Sequence, residues 1–172
     1  MGCAKPRVIQ AGDIADAMEK LCISACCNLP EENLERIEAF AAREESEVGR
    51  QVLEMILENH RLAAREQRPA CQDTGLAVVF LELGQDVRIE GGDLVAAINE
   101  GVRRGYEKGY LRKSVVAEPL FERKNTRDNT PAIIHTSIVA GDKLKITLAP
   151  KGGGAENMSG VAMMIPAAGV EG

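Results

Sequence analysis

One short segment, Ala70-Cys71-Gln72-Asp73-Thr74-Gly75, is the densest candidate for a functional site in the sequence. It combines a thiol that can bind a soft metal or act as a nucleophile with an amide, a carboxylate and a hydroxyl. It lies between a predicted helix and a predicted strand, a position in which loops commonly carry function. Asp73 and Thr74 before Gly75 are equally typical of an ordinary turn. Composition alone therefore gives the functional site and the plain turn equal weight.

A second candidate is the glycine-rich segment that begins at Lys151 and continues through Gly152, Gly153 and Gly154. Consecutive glycines let backbone N–H groups approach an anion closely, and the lysine adds a positive charge. The segment is not a Walker A loop, because no Gly-Lys-Ser/Thr follows at the required spacing. Taken singly, it is more typical of a flexible surface loop than of an anion site.

The third candidate is Arg112, which follows a predicted helix in the segment Tyr110-Leu111-Arg112-Lys113-Ser114. A guanidinium binds a carboxylate through two parallel hydrogen bonds, whereas a lysine acts as a point charge. In isolation, an arginine at this place is more often a solvated charge at a helix end.

Three helices are predicted before the cysteine-containing segment. The first starts with Asp13 as its N-cap and carries apolar residues at helical spacing, namely Ile14, Ala17, Met18, Leu21, Cys22 and Ala25. The second begins after Pro30, with one apolar face made of Leu34, Ile37, Phe40 and Ala41. The third ends before Pro69 and carries Val52, Met55, Ile56, Asn59, Leu62 and Ala63.

The pattern then changes to strands. The nearly continuous apolar run 76–83 predicts a buried strand, with a short neighbour over 87–89. Asp93 is placed to cap a fourth helix that ends near Tyr106 and faces inward with Leu94, Ala97, Ile98 and Val102.

The last third of the sequence predicts an exposed loop followed by a hairpin. The polar stretch 122–130 is typical of a loop, and 133–139 and 144–148 are typical of strands. Gly141-Asp142 between the two strands favours an antiparallel hairpin. The predicted class is α+β, with N-terminal helices followed by a mixed or antiparallel sheet with packed helices.

Length and composition limit the function further. A chain of 172 residues has the size of one domain, and a net charge of −5 argues against a nucleic-acid-binding surface. No apolar run is long enough for a membrane span, and the first twelve residues lack the core of a secretory signal. Five cysteines, with Cys26 and Cys27 adjacent, suit free thiols in a reducing cytoplasm better than a disulfide framework.

Taken together and in this order, ACQDTG, LRKS and KGGGAENMS resemble the class I fumarate hydratases and the related tartrate dehydratases. The resemblance extends from about Ile14 to Gly172 and is closest to the separate α subunit of the two-subunit form. It implies a [4Fe–4S] cluster on three cysteines, with one iron open to act as a Lewis acid. Cys71 would be the first cluster ligand.

The same resemblance assigns roles to the other candidates. Gln72 and Asp73 would lie beside the substrate, with Asp73 catalytic and orienting or charging neighbouring groups, while Arg112 and Gly154 would bind the substrate dicarboxylate. The implied reaction is the reversible hydration of fumarate to L-malate, a step of the tricarboxylic acid cycle. The base would come from a β subunit or C-terminal domain, in an oligomeric enzyme of the cytoplasm.

The cysteines depart from the family pattern, because two further cluster ligands are expected and no cysteine follows Cys71. Cys3, Cys22, Cys26 and Cys27 all precede it, and buried thiols are the commoner explanation for such residues in a helical region. We therefore expect residues 1–172 to form an N-terminal hydro-lyase domain that is incomplete at its C-terminus and inactive alone. His60 and His135 have no partner at ligand spacing and are predicted to be structural.

Three alternatives remain open. An L-tartrate dehydratase would share the carboxylate-binding residues, so the sequence does not separate the two substrates. A non-catalytic binding or assembly module would keep the fold without the cluster. A redox-sensing thiol protein using Cys26 and Cys27 is the weakest, since adjacent cysteines form a strained disulfide.

Overall fold

The computed structural model describes residues 6–154 and 156–169, which form helices, strands and two short 3₁₀ turns. The predicted α+β class is confirmed, and Cys3 lies outside the described residues. In chain order the elements are β1 (Arg7–Gln10), α1 (Ala11–Cys27), α2 (Glu31–Ala41), α3 (Glu47–Glu66), β2 (Leu76–Gly84), β3 (Val87–Glu90), α4 (Leu94–Lys108), β4 (Ile133–Val139) and β5 (Leu144–Lys151), followed by the 3₁₀ turns Glu156–Met158 and Pro166–Ala168.

The main sheet has three strands in the order β4–β2–β5, with β2 in the centre. The central strand pairs parallel with β4, where Phe80 lies opposite His135, and antiparallel with β5, where Val79 lies opposite Leu148. A second, two-stranded sheet pairs β1 parallel with β3. The predicted strand at 87–89 therefore forms, but its partner is β1, a strand that the sequence pattern did not predict.

The predicted hairpin between β4 and β5 is wrong, because β2 lies between these two strands. The link between them must cross two strand spacings, about 10 Å, and it does so over the end of β2. There the Gly84 N–H donates to the Lys143 carbonyl at 2.8 Å. A Cβ atom at Gly84 would lie 2.4 Å from the Gly141 carbonyl oxygen, so only glycine lets the link pass this closely.

The hydrophobic core lies between the main sheet and the helices α1 and α4. The predicted inward face of α4 is confirmed, since Ile98 and Val102 are fully buried. Asp93 caps α4 as predicted, accepting a hydrogen bond from the Ala96 N–H at 2.7 Å. The predicted Asp13 cap is wrong: α1 begins at Ala11 and has Gln10 as its N-cap. Asp13 instead lies in the first turn, where a negative charge suits the positive end of the helix dipole.

The central strand is buried on one face only. Val79 and Leu81 point into the core, whereas Phe80 is 47% exposed and Leu76 is 37% exposed on the other face. The prediction of a buried strand is therefore correct for alternate residues, and in the described part of the chain the opposite face is open.

The helices α2 and α3 pack against each other at the edge of this core. Ser46 caps α3 by accepting a hydrogen bond from the Gly49 N–H. The apolar residues predicted for α3 are not all covered by the described chain, since Ala63 is buried but Met55 is 71% exposed. None of the described helices combines the length and the apolar character that crossing a bilayer requires.

Candidate active site

The cysteine-containing loop follows α3 and is fixed to the helices before it reaches Cys71. The Asn59 side chain donates to the Ala70 carbonyl at 2.8 Å, and the Ala70 N–H donates to the Cys26 carbonyl at 3.0 Å. These two bonds tie the start of the loop to α3 and to the end of α1. The loop therefore enters the site at a defined place.

Gly75 brings the cysteine loop into contact with the glycine-rich segment. It has a positive φ of 62°, and a Cβ atom there would lie 2.1 Å from the Lys151 carbonyl oxygen. The next residue, Leu76, pairs with Lys151 in the antiparallel register of β2 and β5. Two motifs that are remote in sequence thus become neighbours because the strands that carry them pair.

Asp73 joins the two motifs through both oxygens of its carboxylate. Oδ1 accepts a hydrogen bond from the Gly75 N–H at 3.1 Å, and Oδ2 accepts one from the Gly153 N–H at 2.9 Å. A carboxylate can accept about four hydrogen bonds, so two acceptor directions are still available.

Cys71 is exposed, and its sulfur faces the same loop. The Asp73 N–H donates to Cys71 Sγ at 3.4 Å, and the thiol lies 3.6 Å from Gln72 Oε1. An accessible thiol beside backbone and amide groups is able to bind a metal ion or cluster from the solvent side.

Arg112 is held beside the loop by its backbone, and its guanidinium has no ion-pair partner among the described residues. The Arg112 N–H donates to the Thr74 hydroxyl at 2.9 Å, and this hydroxyl donates to the Arg112 carbonyl at 3.3 Å. No residue of the described chain forms an ion pair with the guanidinium. Its charge is therefore available to a ligand.

Two adjacent cavities open at this site, and Arg112 lines both. The larger, about 900 Å³, is also lined by Cys71 and Gln72, and the smaller, about 440 Å³, by Asp73 and the backbone of Gly152 and Gly153. The structure thus brings together four of the five predicted site residues, with Gly152 and Gly153 of the glycine-rich segment beside them. Gly154 follows on the same segment, is exposed, and is not among the residues that line either cavity.

Two buried residues that the sequence pattern did not single out support these loops. The Tyr106 hydroxyl donates to the carbonyls of Thr74 and Gly75, at 2.9 and 3.2 Å. Asn129 is fully buried, so the prediction of an exposed loop over 122–130 is wrong at this position. A tyrosine on the apolar face of a helix was the only sequence signal here, because a buried hydroxyl needs a partner.

The remaining described cysteines are held as neutral thiols by their surroundings. Burial raises the pKa of Cys22 to about 12 and that of Cys26 to about 11, with the neighbouring thiol adding to each shift. Burial also raises the pKa of Cys27. Burial thus lowers the reactivity of these three thiols, because the thiolate is the nucleophilic form.

Among the described residues, Cys71 is the one exposed thiol at this site. In the described ranges, no three side chains of the ligating types His, Cys, Asp and Glu are grouped to hold a metal ion. Cys71 fits one corner of a cluster by its exposure and by the N–H donor beside its sulfur.

The two histidines lie apart from the cavities. The His135 ring stacks on Phe80 with the centroids 5.2 Å apart, on the open face of the sheet. His60 is half-buried on α3, and its buried Nδ1 has no hydrogen-bond partner among the described residues.

Comparison with known proteins gives one consistent result. A family model described as fumarate hydratase (fumerase) matches residues 15–172. The chain is 35% identical over 164 residues to the putative L(+)-tartrate dehydratase subunit alpha of Methanocaldococcus jannaschii, covering 92% of this chain and 57% of that protein. It is 39% identical over 115 residues to the aerobic class I fumarate hydratase of Escherichia coli K12, covering 66% of this chain and 21% of that enzyme.

A third relative agrees with the first in its name. The chain is 26% identical over 148 residues to the L(+)-tartrate dehydratase subunit alpha of Escherichia coli UTI89, covering 84% of this chain and 48% of that subunit. The chain thus spans about half the length of the α subunits that it matches.

Proposed function

This chain belongs to the fumarate hydratase family, and we propose that it forms the dicarboxylate-binding part of an iron–sulfur hydro-lyase. The proposed reaction is the reversible addition of water to fumarate, which gives L-malate. The observation that carries the proposal is the Arg112 guanidinium, which lies in the wall shared by two cavities and has no ion-pair partner in the described part of the chain. A guanidinium is the side chain best suited to bind a carboxylate through two hydrogen bonds.

The second carboxylate of the substrate is assigned to the glycine-rich segment. Backbone N–H groups of consecutive glycines form anion-binding concavities, and Gly152 and Gly153 line the same cavity as Arg112. Gly153 already donates to Asp73, and Gly154, the next residue of the same exposed segment, is proposed as the donor to the substrate because the family resemblance implies this role. Gln72, in the wall of the larger cavity, is proposed to bind the substrate through its amide.

Asp73 is proposed to act beside the reacting carbon. Its two backbone hydrogen bonds fix the carboxylate, and its remaining acceptor directions can bind a substrate hydroxyl or a water molecule. A carboxylate that is held in place before the substrate arrives loses little entropy in the reaction.

Cys71 is proposed to bind one iron of a [4Fe–4S] cluster. Such a cluster, when bound, supplies a Lewis acid for the substrate hydroxyl. Its remaining ligands and the catalytic base are proposed to come from outside the described residues. The names of the α-subunit relatives favour a β subunit as a partner in the complete enzyme. The free thiols of the described chain suit a reducing compartment, for which we propose the cytoplasm.

L-tartrate is the second candidate substrate. Two relatives whose alignments cover 92% and 84% of this chain are named tartrate dehydratase subunits. The alignment with the fumarate hydratase covers 66% of this chain. Both substrates are four-carbon dicarboxylates, so the proposed carboxylate-binding groups serve either. The relative turnover of the assembled enzyme on the two substrates distinguishes them.

The binding step is testable with the chain itself. We expect fumarate, L-malate or L-tartrate to shift the NMR signals of the Arg112 side chain and of Gly153 in the full chain. Replacing Arg112 by Gln should weaken this binding by about 10- to 100-fold, since a charge-assisted pair contributes about 1.5–3 kcal/mol. Arg50→Gln on the exposed surface of α3 is the matched control and should leave binding unchanged.

Two results would contradict the proposal. One is that none of the three dicarboxylates binds to the folded wild-type chain. The other is that Arg112→Gln binds as tightly as the control. A chain that binds a dicarboxylate through Arg112 but shows no hydration activity with a β subunit would instead support the non-catalytic binding module.

A further inference from the structure

Asn129 connects the two segments that carry the candidate site residues. Its Nδ2 donates to the Gly75 carbonyl at 3.0 Å, while its Oδ1 accepts from the Ser114 N–H at 2.7 Å and from the Val115 N–H at 3.1 Å. The side chain is fully buried and its polar atoms face other chain segments, 14 to 54 residues away in sequence. A single amide therefore bridges the end of the cysteine loop and the segment after Arg112.

The bridge closes a ring of hydrogen bonds around the site. On one side, the Thr74 hydroxyl bonds the backbone of Arg112. On the other side, Asn129 bonds the same two segments one and two residues further along. A third contact comes from α4, where the Tyr106 hydroxyl donates to the Gly75 carbonyl. The same carbonyl also accepts the hydrogen bond from Asn129. The relative position of Arg112 and Asp73 thus depends on two independent connections.

The chemistry of this position calls for asparagine. The residue has a positive φ of 64°, a conformation that asparagine and glycine tolerate better than other residues. The bridge also needs a donor toward the Gly75 carbonyl and an acceptor for two N–H groups of the other segment, and an amide offers these on two separate atoms without a charge. Aspartate would keep the acceptor and lose the donor, and glycine would keep the backbone and lose both.

We propose that Asn129 is a positioning residue that holds the Arg112 segment against the Asp73 loop for dicarboxylate binding. The proposal rests on the proposed function of the site. Asn129 does not line either cavity, so it acts through the backbone of Gly75, Ser114 and Val115. If the Asn129 hydrogen bonds are lost, the Arg112 guanidinium keeps its charge, but its position relative to Asp73 is no longer fixed.

The experiment compares Asn129→Gly and Asn129→Asp with Asn99→Ala in the full chain. Asn99 is the matched control because its Oδ1 accepts from the Ala132 N–H at 2.8 Å, which anchors the same loop to α4 without touching either site segment. We expect both Asn129 variants to raise the Kd for the dicarboxylate by about tenfold or more, as the loss of about 1.4 kcal/mol predicts. The Asn99 variant should lower thermal stability and leave the Kd unchanged.

A second measurement separates this inference from the proposed function. In Asn129→Gly, hydrogen exchange at the Ser114 and Val115 amides should speed up, because both lose the acceptor that they share, while the central amides of α4 keep their protection. In Asn129→Asp these two amides should stay protected, because the carboxylate keeps the acceptor and only the donor to the Gly75 carbonyl is lost. If wild type binds no dicarboxylate, the proposed function fails, and the exchange data still decide whether Asn129 joins the segments.

The positioning role would be overturned by either of two results. One is an Asn99→Ala variant whose Kd rises as much as that of the Asn129 variants, which would assign the effect to general loop stability. The other is unchanged exchange at Ser114 and Val115 in Asn129→Gly, where the shared acceptor is lost.

Discussion

A methyl group added at Gly75 tests whether the contact between β2 and β5 builds the site. At a φ of 62° a residue with a Cβ atom is strained, by about 1–2 kcal/mol. The added atom would also lie 2.1 Å from the Lys151 carbonyl oxygen and 2.5 Å from the Gly152 nitrogen. Both distances are far below van der Waals contact, so the end of β5 must move away.

This movement breaks the bond from the Gly153 N–H to Asp73 Oδ2. A hydrogen bond to a charged group contributes about 1.5–3 kcal/mol, and with the backbone strain the expected loss for Gly75→Ala is about 3–5 kcal/mol. Domains of ordinary stability unfold with only about 5–15 kcal/mol, so the change is easily measured.

The assay is urea unfolding followed by circular dichroism, with Gly153→Ala as the matched control. A Cβ atom at Gly153 meets nothing within 4 Å, and its N–H still donates to Asp73. The control should therefore stay within about 1 kcal/mol of wild type, which is the usual effect of a glycine-to-alanine change at an unstrained position. If Gly75→Ala proves as stable as Gly153→Ala, the close approach of the two motifs is not required for the fold.

Two further predictions concern the thiols and the cluster. Because the pKa of Cys22 is raised from 9.0 to about 12 in the folded state, its contribution to stability is complete below pH 9.0 and is lost as the pH rises toward 12. Unfolding free energies measured across this range should fall less steeply in Cys22→Ala, and equal slopes would contradict the assigned burial. Anaerobic reconstitution of the chain with iron and sulfide should give no stable cluster, since Cys71 is the one exposed cysteine in the described ranges. A reconstituted chain that is brown and hydrates fumarate by itself would refute the view that further ligands are needed.

The local elements were predictable because their signals are local. The Asp93 cap and the inward face of α4 depend on residues three and four positions apart, and the structure has both. The three candidate segments were also identified from the sequence, since a thiol, an arginine and consecutive glycines are recognised by residue type. Family membership followed from their order and spacing.

Which strands are neighbours in the sheet depends on the tertiary structure and has no local signal. Periodicity identifies the faces of a strand but not its neighbour, so β4 and β5 were paired with each other instead of with β2. The same limit hid the open face of β2, because an apolar run does not tell whether anything covers it.

Asn129 gives the clearest case. In sequence, an asparagine between Asp128 and Thr130 is typical of an exposed turn, and nothing local marks it as buried. Its three hydrogen bonds reach residues that come near it only when β2, α4 and the loop before β4 are in place. Residue types mark the groups that the candidate site contains, whereas long-range hydrogen bonds set how these groups are held, because such bonds depend on distances in space that spacing along the chain does not encode.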